Sequence, residues 1–241
     1  MERVFYNTVL GASRLQHDGR AFYYSDYHSP GKKSYFPDAW PCCSGTLPQV
    51  TSDYRLLVYF RDAGGLFVNM YVPSTLRWKA TNGAHCTLTQ TGDYPLDGRI
   101  TMRLRASRPI DMQIRVRRPA WSPNPTVSVN GTPVPAPITA GFANLRRRWQ
   151  DGDLVALKLA LPMRLESIDN QHPETVALMI GPLVLFPISE NLPSLTRAQL
   201  LTAARLSNVA AWQVNSESGP LKLLPFTEIQ NEPYNTYVTV T

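Results

Sequence analysis

Apolar and polar residues alternate through Met112-Gln113-Ile114-Arg115-Val116-Arg117, the period of a half-buried strand. That spacing sends Met112, Ile114 and Val116 inward and leaves the arginines on a solvated face. Comparable short runs predict strands at Leu66 to Val72, Leu76 to Ala80, His85 to Gln90 and Ile100 to Ala106. Others follow at Thr126 to Asn130, Phe142 to Arg148 and Leu154 to Leu161. Asn82-Gly83, Asp97-Gly98, Asn130-Gly131 and Asp151-Gly152 punctuate them as turns. Short strands at this spacing predict an antiparallel sandwich. Val176 to Phe186 predicts a strand pair around Gly181-Pro182, and Leu221 to Phe226 and Thr236 to Thr241 predict closing strands.

Helical spacing is confined to a few places. Val4, Phe5, Thr8, Val9 and Ala12 share one face, with Gly11 as a weak stop. Leu15 to His17 and Ala21 to Tyr24 flank Asp18-Gly19 as a hairpin, and residues 25 to 45 read as a long loop. Thr46 and Gln49 have capping-box spacing ahead of a stripe of Leu47, Val50, Tyr54, Leu57 and Val58, which ends at Asp62-Ala63-Gly64-Gly65. Thr196 and Gln199 form a second capping box, predicting a short helix within Leu195 to Leu206.

Composition narrows the function class. At 241 residues, 43% hydrophobic and 17% charged, the chain is globular and long enough for one large or two modest domains. Its longest apolar stretch is the one broken at Gly181-Pro182, too short to span a bilayer, so no membrane partner is expected. The opening Met1-Glu2-Arg3-Val4-Phe5-Tyr6 is no secretory signal. Three cysteines make no disulfide framework, which predicts a reducing, cytoplasmic setting for the chain as given. The net charge of +6 gathers in Arg115, Arg117 and Arg118 and again in Arg146, Arg147 and Arg148, yet no nucleic-acid motif accompanies it. No nucleic-acid partner is expected.

The most specific chemistry lies in Trp40-Pro41-Cys42-Cys43-Ser44-Gly45-Thr46. Neighbouring Cα atoms stand about 3.8 Å apart, below the usual disulfide range of about 4.4–6.8 Å. Two thiolates on consecutive residues can instead reach one metal ion, or the pair can be two small buried apolar residues. Asp38 lies close enough to be a ligand, although a turn or capping role suits it as well. Cys86 falls in a predicted strand and reads as core. His17, His28, His85 and His172 make no metal-binding pair and read as surface or turn residues. Neither a phosphate loop nor a Gly-x-Ser-x-Gly elbow is present.

Several segments in order resemble one family. They are Glu2-Arg3-Val4-Phe5-Tyr6-Asn7, Phe22-Tyr23-Tyr24, the Cys42-Cys43 run, Val68-Asn69-Met70-Tyr71-Val72-Pro73-Ser74 and Ile114-Arg115-Val116-Arg117-Arg118-Pro119-Ala120-Trp121. Val127-Ser128-Val129-Asn130-Gly131, Trp149-Gln150-Asp151-Gly152-Asp153 and Val176 to Val184 continue the match. Together they resemble the carboxy-terminal part of the DUF1680 proteins, glycoside hydrolase family 127 (GH127), typified by β-L-arabinofuranosidases. The resemblance implies a mostly β chain, with antiparallel β-sandwich domains preceded by the last helical part of an (α/α)6 barrel. The implied division is residues 1–62 as barrel remnant, 63–165 as a sandwich and 166–241 as a second β-rich region.

By the same resemblance Cys42 is the nucleophile, Cys42 and Cys43 are zinc ligands, and the substrate is an L-arabinofuranoside or related plant or microbial glycan. A zinc-bound thiolate would attack the anomeric carbon and hydrolysis would proceed with retention. The family's other zinc ligands and its acid/base glutamate have no counterpart here, so the chain is expected to be an inactive fragment of a larger enzyme. A non-catalytic carbohydrate-binding or structural sandwich, with Trp78, Trp121, Trp149 or Trp212 stacking on sugar or filling the core, is the alternative. A small zinc-binding interaction domain is another.

Overall fold

Among the described residues, helix falls in the first 56 residues, in one short turn near residue 200 and in a 3-10 turn at Phe226–Glu228, and strands dominate from Tyr59 onward. This computed structural model describes residues 1–12, 18–25, 29–36, 42–207 and 209–241, with the side chains of 21, 23, 24 and 42–47 outside that description. The chain forms two compact units, Met1–Asp53 with Pro162–Thr241, and Tyr54–Leu161.

The first unit opens with α1 (Glu2–Val4), a π-helical turn at Phe5–Val9 and α2 (Leu10–Ala12). Gly11 lies within this helix rather than ending it. A Cβ there would come within 2.3 Å of the Phe226 ring, so glycine is required by close packing. Next come β1 (Ala21–Ser25) and β2 (Lys33–Phe36), which pair with each other. The sequence pattern predicts a hairpin partner for β1 in Leu15 to His17, residues outside those described, and a loop where β2 lies. Helix α3 (Cys42–Leu56) begins before the expected cap at Thr46 and ends before the predicted stripe does. Leu57 and Val58 follow it as a turn, because their amides bond back to the carbonyls of Tyr54 and Arg55.

The second unit is a two-sheet sandwich. Its strands are β3 (Tyr59–Asp62), β4 (Gly65–Val68), β5 (Ser74–Lys79), β6 (His85–Thr91), β7 (Arg99–Ala106) and β8 (Ile110–Arg117). They continue through β9 (Thr126–Val129), β10 (Thr132–Pro133), β11 (Ile138–Thr139), β12 (Phe142–Trp149) and β13 (Leu154–Lys158). One sheet runs β10-β9-β13-β7-β6-β5 and the other β11-β12-β8-β4-β3. Leu88, Met102, Leu104, Val155 and Leu157 of the first, with Leu66, Val68, Ile114, Val116 and Leu145 of the second, are buried as core. Asn130 and Gly131 both have positive φ, the primed turn that two-residue hairpins favour, and they join β9 to β10.

One pairing departs from the antiparallel expectation: β4 and β8 run parallel. Gly65 permits it. Its φ is +148° and a Cβ would fall 2.0 Å from the Gln113 carbonyl oxygen, so β4 can approach β8 only at a glycine. The arginines of β8 also differ from expectation. Arg115 is only 14% exposed, with its guanidinium 4.2 Å from the Phe67 ring centroid and 3.0 Å from Asp62. It bridges the β3–β4 turn instead of standing in solvent.

The remaining sheet belongs to the first unit. It comprises β14 (Met163–Ser167), β15 (Thr175–Ile180), β16 (Leu183–Pro187), β17 (Ala204–Arg205), β18 (Trp212–Ser216), β19 (Gly219–Leu224) and β20 (Val238–Thr239), all antiparallel. The predicted pair around Gly181-Pro182 is β15 and β16. Helix α4 (Arg197–Leu201) carries the predicted box: the Gln199 amide donates to Thr196 Oγ1, and Gln199 Oε1 accepts from the Thr196 amide.

Candidate active site

Pattern and backbone bring Cys42 and Cys43 into the first turn of α3. Unpaired amides and the positive end of the dipole gather at a helix start, and thiols there are more acidic than free cysteine. The side chains of Cys42 and Cys43 lie outside the description, as do Asp38, His17 and His28 altogether. Pro48 sits inside the helix and contributes no amide hydrogen to the ladder, a weakness in the segment that carries the pair.

The remaining donors are dispersed. Cys86 is buried on β6 and its thiol points to the Ala84 carbonyl at 3.7 Å; burial pushes its pKa up. It is the core residue the sequence implied. His85 is exposed. His172 is exposed in a turn, where Asp169 accepts from its ring and raises its pKa, by hydrogen bonding first and charge second. Among the described residues no group of three His, Cys, Asp or Glu could hold a metal. Two thiolates are half of the four donors zinc favours, so the described residues do not by themselves complete a zinc site.

The tryptophans divide. Trp149 and Trp212 are core, and Trp149 Nε1 donates to the Met112 carbonyl. Trp78 and Trp121 remain partly exposed.

Two anchoring residues escaped the sequence reading. Asn7 grips β16 from the first helix: its Nδ2 donates to the Pro182 carbonyl at 2.8 Å and its Oδ1 accepts from the Val184 amide at 2.7 Å. Lys33 is only 6% exposed, and its ammonium donates to the carbonyls of Gly11, Phe226 and Ile229 at 3.0, 2.8 and 2.8 Å. It also lies 4.0 Å from the Phe226 ring centroid. Phe186, Phe226 and Tyr234 cluster there, beside a largely apolar cavity of roughly 1010 Å³ in the first unit that Asn7 and Thr8 also line. Strand β2 carries Lys33 to that point. Only a lysine amid aromatic residues hints at it in the sequence.

A sandwich of two sheets joined to a helix-bearing β unit is thus the class of fold defined here. Residues 65–163 match the family model described as β-L-arabinofuranosidase, GH127 middle domain. The resemblance read from the sequence is found again in that stretch, which matches the GH127 middle-domain model. Twenty-four solved chains match in structure. A GH127 β-L-arabinofuranosidase from Geobacillus stearothermophilus T6 superposes with a TM-score of 0.79 at 22% identity, over 100% of this chain and 46% of that one. A protein described as a glycoside hydrolase gives 0.75 at 19%, over 100% and 48%. A GH127 β-arabinofuranosidase gives 0.75 at 20%, over 100% and 45%. These identities establish the fold. The chain spans less than half the length of each of those structures. No curated protein matches it.

Proposed function

We propose that this chain is the carboxy-terminal part of a retaining glycoside hydrolase acting on an L-arabinofuranoside or related glycan, with Cys42 as its nucleophile. The observation that carries the reading is the pairing of a GH127 middle domain at 65–163 with a Cys-Cys pair that opens a helix. In the proposed step the Cys42 thiolate forms a bond to the anomeric carbon while the bond to the leaving oxygen breaks. A proton donor supplied from outside these residues protonates that oxygen, and water then displaces the thiolate with a second inversion. Cys43, with Cys42, is proposed as a zinc ligand in a donor set that these residues alone do not complete.

The test uses a protein in which this chain is joined to the amino-terminal portion of a GH127 relative. Cys42→Ser is expected to lower kcat on an aryl β-L-arabinofuranoside by about 10³-fold or more, because a hydroxyl lacks the thiolate's nucleophilicity near pH 7. Cys43→Ser is expected to lower bound zinc. Hydrolysis by Cys42→Ser at the parent rate, with zinc still bound, would remove Cys42 from that role.

A further inference from the structure

The outer face of the six-stranded sheet carries a charge pattern that the proposed chemistry does not use. Along β5, β6, β7, β9, β10 and β13, outward positions hold Arg77, Lys79, Arg99, Arg103, Arg105 and Lys158, all exposed. None of these six strands contains an aspartate or glutamate. Pairing fixes where the cations stand. Arg77 and Arg105 flank Thr87 on the middle strand, which sets their Cα atoms about 9–10 Å apart at the usual strand spacing. Arg99 and Lys158 stand directly opposite each other on adjacent strands, an arrangement that costs stability in the absence of an anion.

Among the described residues, carboxylates pair with these cations from the face's margins: Asp97 with Arg99 at 2.6 Å and Asp151 with Arg105 at 3.1 Å. Arg77, Lys79 and Lys158 form no ion pair among the described residues. Threonines hold many of the intervening outward sites (Thr75, Thr87, Thr89, Thr91 and Thr101), beside His85, Leu154 and Ala156. Thr91 and Thr101 hydroxyls lie 2.7 Å apart. The result is a cationic surface interleaved with hydroxyls.

We propose that this face binds an acidic polysaccharide, a glycan bearing carboxylates at regular intervals along its chain. The proposal rests on the reading of the chain as part of a glycan hydrolase. Several cations spread over one face can meet several carboxylates along one chain, and the threonine hydroxyls between them suit sugar hydroxyls. Among the described residues, the outward positions of the six strands hold no Phe, Tyr or Trp, and His85 is the single ring on which an unpaired base could stack, which favours a glycan over a single-stranded nucleic acid. Binding here would hold a charged polymer against the enzyme independently of turnover.

The test is affinity electrophoresis of the full 241-residue chain through gels containing polygalacturonate, neutral arabinan or double-stranded DNA. The wild-type chain is expected to be retarded by polygalacturonate at low salt, with retardation fading as salt screens the contacts. A triple variant, Arg77→Thr with Arg103→Thr and Lys158→Thr, is expected to bind about tenfold more weakly or worse. Arg146→Thr with Arg147→Thr and Arg148→Thr removes the same charge from the other sheet and is expected to bind as the wild type does. Circular dichroism verifies that both variants fold. Equal losses in the two variants, no retardation of the wild type, or DNA retardation as strong as that of polygalacturonate would overturn the proposal. The readout needs no hydrolysis, so a negative result at Cys42 leaves it standing, and a flat gel leaves the nucleophile assignment intact.

Discussion

Replacing Lys33 by methionine tests what ties the start of the chain to its end. The ammonium donates to three carbonyls, on Gly11, Phe226 and Ile229, and rests against the Phe226 ring. Hydrogen bonds to a charged group contribute about 1.5–3 kcal/mol each, which puts the gross loss for three at about 4–9 kcal/mol. Methionine removes the cost of desolvating an ammonium, several kcal/mol, and fills a similar volume. It also leaves buried carbonyls short of donors. The balance is a net loss of about 3 kcal/mol, equivalent to a fall in Tm of roughly 6–12 °C for a chain of this size.

The assay is thermal unfolding by circular dichroism, paired with hydrogen exchange read by mass spectrometry. Protection should fall first in residues 2–12 and 226–229, the segments that Lys33 joins. Lys33→Arg, which keeps the charge but not the shape, should lie between wild type and methionine. A Lys33→Met protein within about 0.5 kcal/mol of wild type, with unchanged exchange in those two segments, would refute the argument that this ammonium is the clamp.

Gly65→Ala is expected to destabilise the sandwich by more than about 2 kcal/mol, since its Cβ would meet the Gln113 carbonyl oxygen at 2.0 Å and its φ is +148°. Urea unfolding measures it, and a loss under about 0.5 kcal/mol would show that β4 can shift without consequence. His172 should titrate above 6.5 by NMR, because Asp169 favours its charged form. Any stability from that pair is therefore present below the unfolded pKa and lost as pH rises through the higher folded value, and Asp169→Asn should bring the midpoint back toward 6.5. An unchanged midpoint in that variant would mean that another group sets the titration.

Local chemistry decided much of what was legible. The Thr196/Gln199 box names its own helix start, because both partners of the reciprocal bonds lie within three residues. Asn130-Gly131 names its turn, because that backbone favours residues tolerant of positive φ. Alternation located β5 through β9, β12 and β13, since period two says which face is buried without saying what covers it. The Cys42-Cys43 pair is legible in the sequence too, although its chemistry leaves metal ligation and burial both open and only the family resemblance assigns it a role.

Pairing between distant segments was not legible. β1 finds β2, in a stretch read as loop, and β4 lies parallel to β8, because backbone hydrogen bonds carry no residue identity to announce a partner. The arginine at 115 reads as solvated from its strand period, yet Phe67 on a neighbouring strand covers it and Asp62 at that strand's far turn neutralises it. Lys33 falls in the stretch that reads as a long loop, and three carbonyls from remote segments converge on it. The amino-acid order determined the local elements and the candidate nucleophile. Only tertiary structure determined which strands meet, which charges are buried, and that Met1–Asp53 and Pro162–Thr241 make one unit, because those outcomes depend on surfaces that exist only after the chain has closed on itself.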